Sequence, residues 1–401
     1  MKDKQYTNFI SEIKKKVLDA QLKTVVAANS QMLLLYWQLG RMILENQQKE
    51  GWGAKIIDNL SKDLNKEFPE LKGFSPRNLK YMRKFAENYT LPLIQSFISI
   101  ESHIKSAPSI TQKLFTQLLN SDNEQFLFVQ QAVAQLNPGL NQIMQQPAAL
   151  SEDTIFIESI LAKVSWSHHI ILLDKETHLG KRFWYMLNSI ENGISRNVLA
   201  MQIESGLFER QVVSKKINNF ERVLPLAQSD FANYLLKDPY IFDFVQAREK
   251  ADERNIEEQL ANHITKFLLE LGQGFAFIGR QVRFEIGDAD FYADLLFYHT
   301  KLHAYVVVEL KAQPFEPGDV SQLNFYVNVV NDKLKTTDDN HTIGLLLCKG
   351  KNQVVAEYAL RGYSNAINVS DYQISKAIPE ELKSALPQIE DIENEMNDSL
   401  K

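Results

Sequence analysis

The chain has 401 residues and a formal net charge of −6, and at roughly 100–200 residues per domain this length predicts two or three domains. Hydrophobic residues make up 44% and charged residues 23% of the sequence, a balance that excludes a wholly disordered chain. The one cysteine, Cys348, excludes a disulfide scaffold and a cysteine-ligated zinc site and favours a reducing compartment.

The first 90 residues predict three helices with an excess of positive charge. Apolar residues recur at helical spacing over residues 4–48, and a second amphipathic helix is predicted over residues 54–68. Ser75 followed by Pro76 is typical of a helix start and predicts a third helix from there. This stretch contains sixteen Lys and Arg and ten Asp and Glu, so its local net charge is positive. The protein can therefore have one basic face although the net charge of the whole chain is negative.

The helical pattern continues to about residue 210, with one interruption. Residues 91–155 are rich in Gln, Ser and Asn and contain several prolines, which predicts a weakly specified helical insertion. We therefore expect an all-helical domain over residues 1–210. The N-terminus lacks the apolar run of a signal peptide, and no stretch approaches the ~18 apolar residues of a membrane span, so we expect a cytoplasmic protein without a membrane partner.

Beyond Pro225 the pattern changes to that of an α/β domain. One strongly amphipathic helix is predicted from Asp252 to the glycines at 272 and 274. Strand-like apolar runs follow at residues 275–286, 291–299, 303–311 and 342–349, with a helix between the third and fourth runs at residues 320–334. The order helix, three strands, helix, strand predicts a mixed central sheet.

Three charged residues lie inside these apolar runs. Asp294 lies in FYADLLFY, and Glu309 and Lys311 lie in VVVELKAQ. A charge in the interior of a sheet costs several kcal/mol unless something pairs with it. Glu309 and Lys311 are two residues apart and therefore share a face of the strand, which Asp294 can also reach from the neighbouring strand.

This combination is suited to metal-assisted phosphodiester hydrolysis. Two adjacent carboxylates repel each other, and Mg²⁺, which prefers oxygen ligands, removes that repulsion. Asp294, Glu309 and the backbone carbonyl of Leu310 are candidate metal ligands, and Lys311 would orient the attacking water or stabilise negative charge in the transition state. The alternative is an ordinary ion pair between Glu309 and Lys311, because a D…ExK spacing also occurs by chance.

The strings around these residues resemble a known family. DFYADLLFYHTKLHAYVVVELKAQPFEPGDVSQLNFYVNVVND is similar to the core of the PD-(D/E)XK nuclease superfamily, and more closely to the YhcG-type family, in which a helical N-terminal domain precedes the nuclease domain. WGAKIIDNLSKDLNKEFPELKGFSPRNLKYMRKFAENY, SWSHHIILLDK, LLKDPYIFDF and LLELGQGFAFIGRQ carry the same resemblance. It implies a restriction-endonuclease-like α/β domain over residues 225–378, followed by an acidic tail at residues 379–401.

The resemblance also implies site residues and an activity. The motif residues of the family match Asp294, Glu309 and Lys311 as catalytic residues. The acid of the first helix best matches Glu257, with Glu253 and Glu258 as alternatives, and the residue that positions the site from the helix after the third strand matches Gln322 or Tyr326. The implied protein is an endonuclease that uses Mg²⁺ or Mn²⁺ to cut DNA in recombination, mobile-element handling or defence.

The predicted third helix of the N-terminal half is a candidate DNA-binding helix, since NLSKDLNKEFPELKGFSPRNLKYMRKFAE has helix–turn–helix-like spacing. Its candidate contacts are Arg77, Asn78, Lys80, Arg83 and Lys84. A second candidate lies at Arg196, beside Asn197. The alternative is a packed helix with a solvated basic face, because Arg83 and Lys84 can pair locally with Glu87.

Two other functions remain open from the sequence: a catalytically inactive module for DNA binding or assembly, and an RNA-directed nuclease. A nucleotide cofactor is not expected, because GQGFAFIGR follows a helix and enters a strand, the reverse of the order that a dinucleotide-binding fingerprint requires. Cutting both strands of a duplex usually needs two sites, so a homodimer is expected.

Overall fold

A computed structural model describes most of the chain. The described residues are 2–50, 55–70, 72–106, 115, 151–242 and 253–374. The chain divides into two compact units, Met1–Ile203 and Glu204–Lys401.

Within the described residues, the secondary-structure elements of the N-terminal unit are all helices. Its helices, the last of which reaches the boundary, are α1 (Lys2–Glu50), α2 (Lys55–Glu67), α3 (Pro76–Asn88), α4 (Leu91–Ser106), α5 (Glu152–Glu158), α6 (Trp166–Lys175), α7 (Leu179–Asn192) and α8 (Arg196–Glu204). The predicted start of the third helix is confirmed, because the Ser75 hydroxyl accepts a hydrogen bond from the backbone N–H of Asn78 and Pro76 is the first helical residue. Most of the predicted insertion at 91–155 lies outside the described residues.

The core of this unit forms where α1 and α3 pack closely together. Leu79, Met82 and Phe85, spaced three residues apart on α3, are fully buried. The approach depends on Gly40 of α1, because a Cβ atom at this position would lie 2.0 Å from the carbonyl oxygen of Met82. Larger side chains at position 40 would therefore separate the two helices.

The C-terminal unit is built on one mixed sheet. Its described strands are β1 (Ile217–Asn218), β2 (Tyr240–Ile241), β3 (Phe275–Ile286), β4 (Ala289–His299), β5 (Ala304–Lys311), β6 (Ile343–Cys348) and β7 (Ala366–Gln373). The strand order is β1-β7-β6-β5-β4-β3, with β2 paired to β7. Strands β3, β4 and β5 are antiparallel, whereas β5, β6 and β7 are parallel.

Helices cover both faces of this sheet. The described helices of the unit are α9 (Phe220–Val223), α10 (Leu226–Leu235), α11 (Glu253–Asn262), α12 (Ile264–Leu271), α13 (Pro317–Lys333) and α14 (Gln353–Ala359), and a short π-helix spans Glu209–Val213. Helices α11 and α12 pack on one face against a cluster that includes Leu295 and Val308. Helices α13 and α14 pack on the other face, against a cluster that includes Leu296 and Val307.

The fold class expected from the sequence, a helical N-terminal half and a C-terminal mixed sheet, is confirmed. The helix expected from Asp252 to the glycines is divided in two, because His263 leaves helical geometry with φ −111° and ψ 41°. Strand β7 was not predicted from the sequence, and its central residues Asn368 and Ser370 are polar yet fully buried. Among the described helices, none has the length and apolar character needed to cross a bilayer.

Candidate active site

The candidate catalytic residues lie where two strands of the sheet separate. Pairing between β4 and β5 ends at Leu295 and Val308, whereas β5 continues beside β6 as far as the pair Lys311 and Cys348. Asp294 and Glu309 are the first residues beyond the last pair, and the continued register places them opposite each other. We call this point the β4–β5 fork.

At the fork a side chain replaces a backbone partner. The backbone N–H of Leu310, which no longer has a partner on β4, donates a 3.1 Å hydrogen bond to Oδ2 of Asp294. A buried backbone N–H left without a partner costs free energy comparable to a lost hydrogen bond. Asp294 therefore provides the hydrogen-bond partner that the Leu310 N–H lacks, and this bond fixes the position of its carboxylate.

Glu309 is almost completely buried, with 1% of its surface exposed. Its Oε1 accepts hydrogen bonds from Nε2 of Gln322 at 2.6 Å and from Nζ of Lys311 at 3.4 Å. Its Oε2 is buried without a hydrogen-bond partner in the described part of the chain. Burial, followed by the nearby Asp294 carboxylate, raises the pKa of Glu309 to about 8.

The ammonium of Lys311 lies among acceptors from three elements. Besides Glu309 it contacts Oε1 of Gln322 at 3.1 Å and Oε2 of Glu253 at 3.8 Å. Burial lowers the pKa of Lys311, but the carboxylates of Glu309, Glu253 and Asp294 outweigh burial and raise it above its ordinary value. The group therefore stays positively charged beside the two candidate metal ligands.

A second set of contacts joins Asp294 to helix α11. The side-chain amide of Gln281 on β3 donates to Oδ1 of Asp294 at 3.0 Å and to Oε2 of Glu257 at 2.9 Å. Nε of Arg280 donates to the other oxygen of Glu257 at 2.5 Å. The pKa of Asp294 is raised, first by burial and then by the charge of Glu257, against the opposing hydrogen bond from Leu310.

The structure therefore separates the sequence-derived candidates of this unit. Glu309, Lys311 and Gln322 form one hydrogen-bonded group, and Gln281 joins Asp294 and Glu257 in a second. Asp294 connects the two groups, because it accepts from the Leu310 N–H and its charge acts on both Glu309 and Lys311. Of the alternatives to Glu257, the side chain of Glu253 reaches Lys311, whereas Glu258 is exposed to solvent. Tyr326 is buried in the core on the α13 side of the sheet. The pKa of the Tyr326 hydroxyl is raised, first by burial and then by the charges of Glu309 and Asp294.

Arg280 and Gln281 are site residues that the sequence analysis missed. They interrupt the strand run FAFIGRQVRFEI with two successive polar residues, and this interruption was the available signal. Nothing in that run indicates the positive φ of 48° that Gln281 adopts.

The donor set of the fork fits a divalent cation of the Mg²⁺ class. Asp294 and Glu309 supply carboxylate oxygens, of which Glu309 Oε2 is buried and has no donor among the described residues. The backbone carbonyl of Leu310, the residue after Glu309, is the third predicted ligand. Hard oxygen ligands of this kind suit Mg²⁺, which keeps several of its waters. No cluster of three His, Cys, Asp or Glu side chains with metal-binding geometry occurs in the described ranges, so the predicted set relies on that backbone oxygen.

The N-terminal candidates are divided between packing and solvent. Asn78 donates to the carbonyl of Gly73 at 2.5 Å and accepts from the indole N–H of Trp166 at 2.7 Å. Lys84 donates to the carbonyl of Leu173 at 2.8 Å and pairs with Asp174 at 3.3 Å. These two side chains hold α3 against α6.

The remaining basic candidates differ in exposure. Arg83 is half-buried and donates to Gln47 at 3.2 Å. Arg77, Lys80 and Arg196 are exposed, and the guanidinium of Arg77 lies 5.8 Å from the centre of the Tyr81 ring. These three are the most exposed of the six candidates, and the side chain of Lys84 is partly exposed beside Asp174.

Comparison with known proteins covers both units. Residues 233–387 match the model of the YhcG PDDEXK nuclease domain, and residues 12–135 and 137–210 match the DUF1016 N-terminal domain. The chain is 30% identical over 371 residues to the protein described as "Putative nuclease YhcG" of Escherichia coli (strain K12), covering 91% of this chain and 89% of that protein. Among solved structures, a repair endonuclease from Pyrococcus abyssi aligns with a TM-score of 0.23 and 17% identity, covering 33% of this chain and half of that protein.

Proposed function

We propose that this chain, which belongs to the YhcG family of PDDEXK nucleases, is an endonuclease that hydrolyses phosphodiester bonds of DNA with a divalent cation, Mg²⁺ or Mn²⁺. The observation that carries the proposal is the β4–β5 fork, where Asp294, Glu309 and Lys311 meet. Two of them are acids whose pKa values are raised, and the third is a charged ammonium beside them. A divalent cation bound between the two acids would favour their ionised forms and so oppose the effect of burial on both pKa values.

Each residue has a distinct task in this proposal. Asp294, Glu309 and the Leu310 carbonyl hold the cation, which when bound polarises a phosphoryl oxygen and makes water more acidic. Lys311 holds a positive charge where negative charge develops on the phosphoryl group and hydrogen-bonds the attacking water. Gln322 bonds both Glu309 and Lys311, which fixes the distance between the acid and the ammonium.

The proposal assigns DNA binding to the helical half. We propose residues 1–210 as the DNA-binding or assembly domain and residues 225–378 as the nuclease domain, with two copies of the chain cutting the two strands of a duplex. Arg77, Lys80 and Arg196 are the basic candidates whose exposure supports contact with phosphates. Recombination, mobile-element handling and defence are the roles that fit such an enzyme.

Metal-dependent cleavage of defined substrates tests the proposal. We expect the purified chain to cut duplex, single-stranded or branched DNA with Mg²⁺ or Mn²⁺, and to lose the cut in EDTA. Glu309→Ala and Lys311→Ala are each expected to reduce the rate at least ~100-fold, because each removes a group that acts on the reacting phosphate. Both variants should still bind DNA in a fluorescence anisotropy assay with Ca²⁺.

The control variant is Glu258→Gln, because Glu258 lies beside Glu257 on α11 but is exposed to solvent. It should cut at the wild-type rate. Full activity in both Glu309→Ala and Lys311→Ala would place the chemistry elsewhere. Retained DNA binding with no cleavage by the wild type under any metal would favour an inactive binding module, and cleavage confined to an RNA substrate would favour an RNA-directed enzyme.

A further inference from the structure

Gln281 has a backbone conformation that is unusual for its residue type and position. It lies in the middle of β3 with φ at 48°, in the left-handed region that L-residues with a side chain rarely adopt. Within the described residues, His303 is the other non-glycine residue with a positive φ, and it lies in the turn between β4 and β5. Strained backbone of this kind persists where surrounding contacts hold it in place.

The conformation changes where two successive side chains point. Side chains of neighbouring residues on a strand normally lie on opposite faces of the sheet. Here the side chains of Arg280 and Gln281 both bond Glu257, one to each carboxylate oxygen. Glu257 is only 5% exposed, so Arg280 neutralises a buried charge, and the Gln281 amide occupies the second oxygen.

The same amide continues to the fork. Its nitrogen has two hydrogens, and it donates to Oδ1 of Asp294 as well as to Glu257. The other Asp294 oxygen accepts from the Leu310 N–H. Both oxygens of Asp294 are therefore held, one by the backbone of β5 and one by Gln281.

We propose that Gln281 is a positioning residue, which uses its strained backbone to tie the Asp294 carboxylate to the buried Glu257–Arg280 pair. This inference rests on the proposed function, in which Asp294 is a metal ligand. Without the amide, the Asp294 carboxylate keeps only the Leu310 contact and can rotate. Loss of groups that orient a metal ligand typically weakens metal binding about 10- to 100-fold.

Two variants separate the amide from the strain. Gln281→Met keeps the length of the side chain and the unfavourable backbone but removes the amide. Gln281→Gly removes the amide and also the unfavourable backbone, because glycine adopts positive φ readily. The matched control is His303→Gly, which removes the same kind of strain in the turn between β4 and β5. The hydrogen bond from the Asn340 N–H to the His303 carbonyl involves only backbone atoms of His303 and remains possible in the variant.

Mn²⁺ binding to the full chain, measured by electron paramagnetic resonance without DNA, is the readout. We expect the dissociation constant to rise about 10- to 100-fold in both Gln281 variants and to stay at the wild-type value in His303→Gly. Far-UV circular dichroism verifies that each variant is folded, and if Gln281→Met does not fold, Gln281→Gly decides the question alone.

The outcomes distinguish this inference from the function on which it rests. Wild-type affinity for Mn²⁺ in Gln281→Gly, with wild-type cleavage intact, overturns the positioning role and leaves the nuclease proposal standing. An equal loss of affinity in His303→Gly overturns it as well, because a backbone change that does not involve the Gln281 amide would then have the same effect. Absence of both Mn²⁺ binding and cleavage in the wild type overturns the proposed function and this inference together.

Discussion

Replacing the buried acid Glu309 with glutamine should stabilise the metal-free protein at alkaline pH. The pKa of Glu309 is about 8 in the folded chain, against an ordinary value of 4.5. The folded protein keeps this proton up to about pH 8, whereas the unfolded chain releases it near 4.5. Stability therefore falls as pH rises between the two values.

The magnitude follows from the difference between the two pKa values. Each pKa unit corresponds to about 1.4 kcal/mol, and between about pH 5 and pH 8 the Glu309 contribution to the free energy of unfolding falls by about 3.5 kcal/mol. The glutamine side chain of the variant has the shape of the protonated acid and does not titrate. Glu309→Gln should therefore match the wild type near pH 5 within about 1 kcal/mol and exceed its stability by roughly 3 kcal/mol near pH 8.

The assay must report on the C-terminal unit. All four tryptophans, at positions 37, 52, 166 and 184, belong to the N-terminal unit, so tryptophan fluorescence is unsuitable. Hydrogen exchange of amides in the central strands β5 and β6, in EDTA at several pH values and corrected for the intrinsic exchange rate, gives the free energy of opening. Glu258→Gln is the control and should follow the wild type at every pH. Parallel profiles for the wild type and Glu309→Gln would refute the reasoning.

Three further predictions concern Mg²⁺ binding, the exposed basic residues of α3, and the packing of β6 against α13. Saturating Mg²⁺, at about 100 times its dissociation constant, should add about 2.7 kcal/mol to the opening free energy of the wild type and much less to that of Glu309→Gln, measured by the same exchange experiment. If Arg77 or Lys80 contacts a phosphate, its replacement by alanine should reduce the magnitude of the slope of log affinity against log salt by about 1. An unchanged slope in anisotropy titrations would remove that residue from the DNA-binding surface. Gly344→Ala should cost about 1–3 kcal/mol, because its Cβ would lie 2.9 Å from Cγ of Leu323 on α13, and wild-type thermal stability would contradict this packing.

Much of the fold followed from local patterns in the sequence. The apolar run at residues 303–311 predicted a strand, and β5 spans Ala304–Lys311 and is buried on both faces of the sheet. The same apolar flanks made Asp294 and Glu309 conspicuous, because a charge in a sheet interior requires a partner. Ser75 and Pro76 predicted the start of α3 correctly, because a serine cap and a proline at the first helical position act through local contacts alone.

Other features depend on partners that are remote in the chain. Strand β7 was missed because its polar residues do not suggest a buried strand. One of their hydrogen-bond partners is remote in the chain, since the Ser370 hydroxyl donates to the carbonyl of Lys237 at 2.9 Å. The ion pair of Lys84 with Asp174, 90 residues away, likewise has no local signal in the sequence. The left-handed conformation of Gln281 has no sequence signal, since glutamine is not a typical residue at positive φ.

The position of the β4–β5 fork also determines which changes in chain length the site can accept. The turn at residues 300–303, in which Leu302 is buried, precedes the paired stretch, so an extra residue there would leave the pairing between β4 and β5 unchanged. An extra residue between Ala304 and Val308 would invert the alternation of side chains and carry Glu309 and Lys311 to the opposite side of the sheet. The five residue pairs between β4 and β5 therefore set the position of the proposed catalytic groups, which an insertion within these pairs would displace and an insertion in the preceding turn would not.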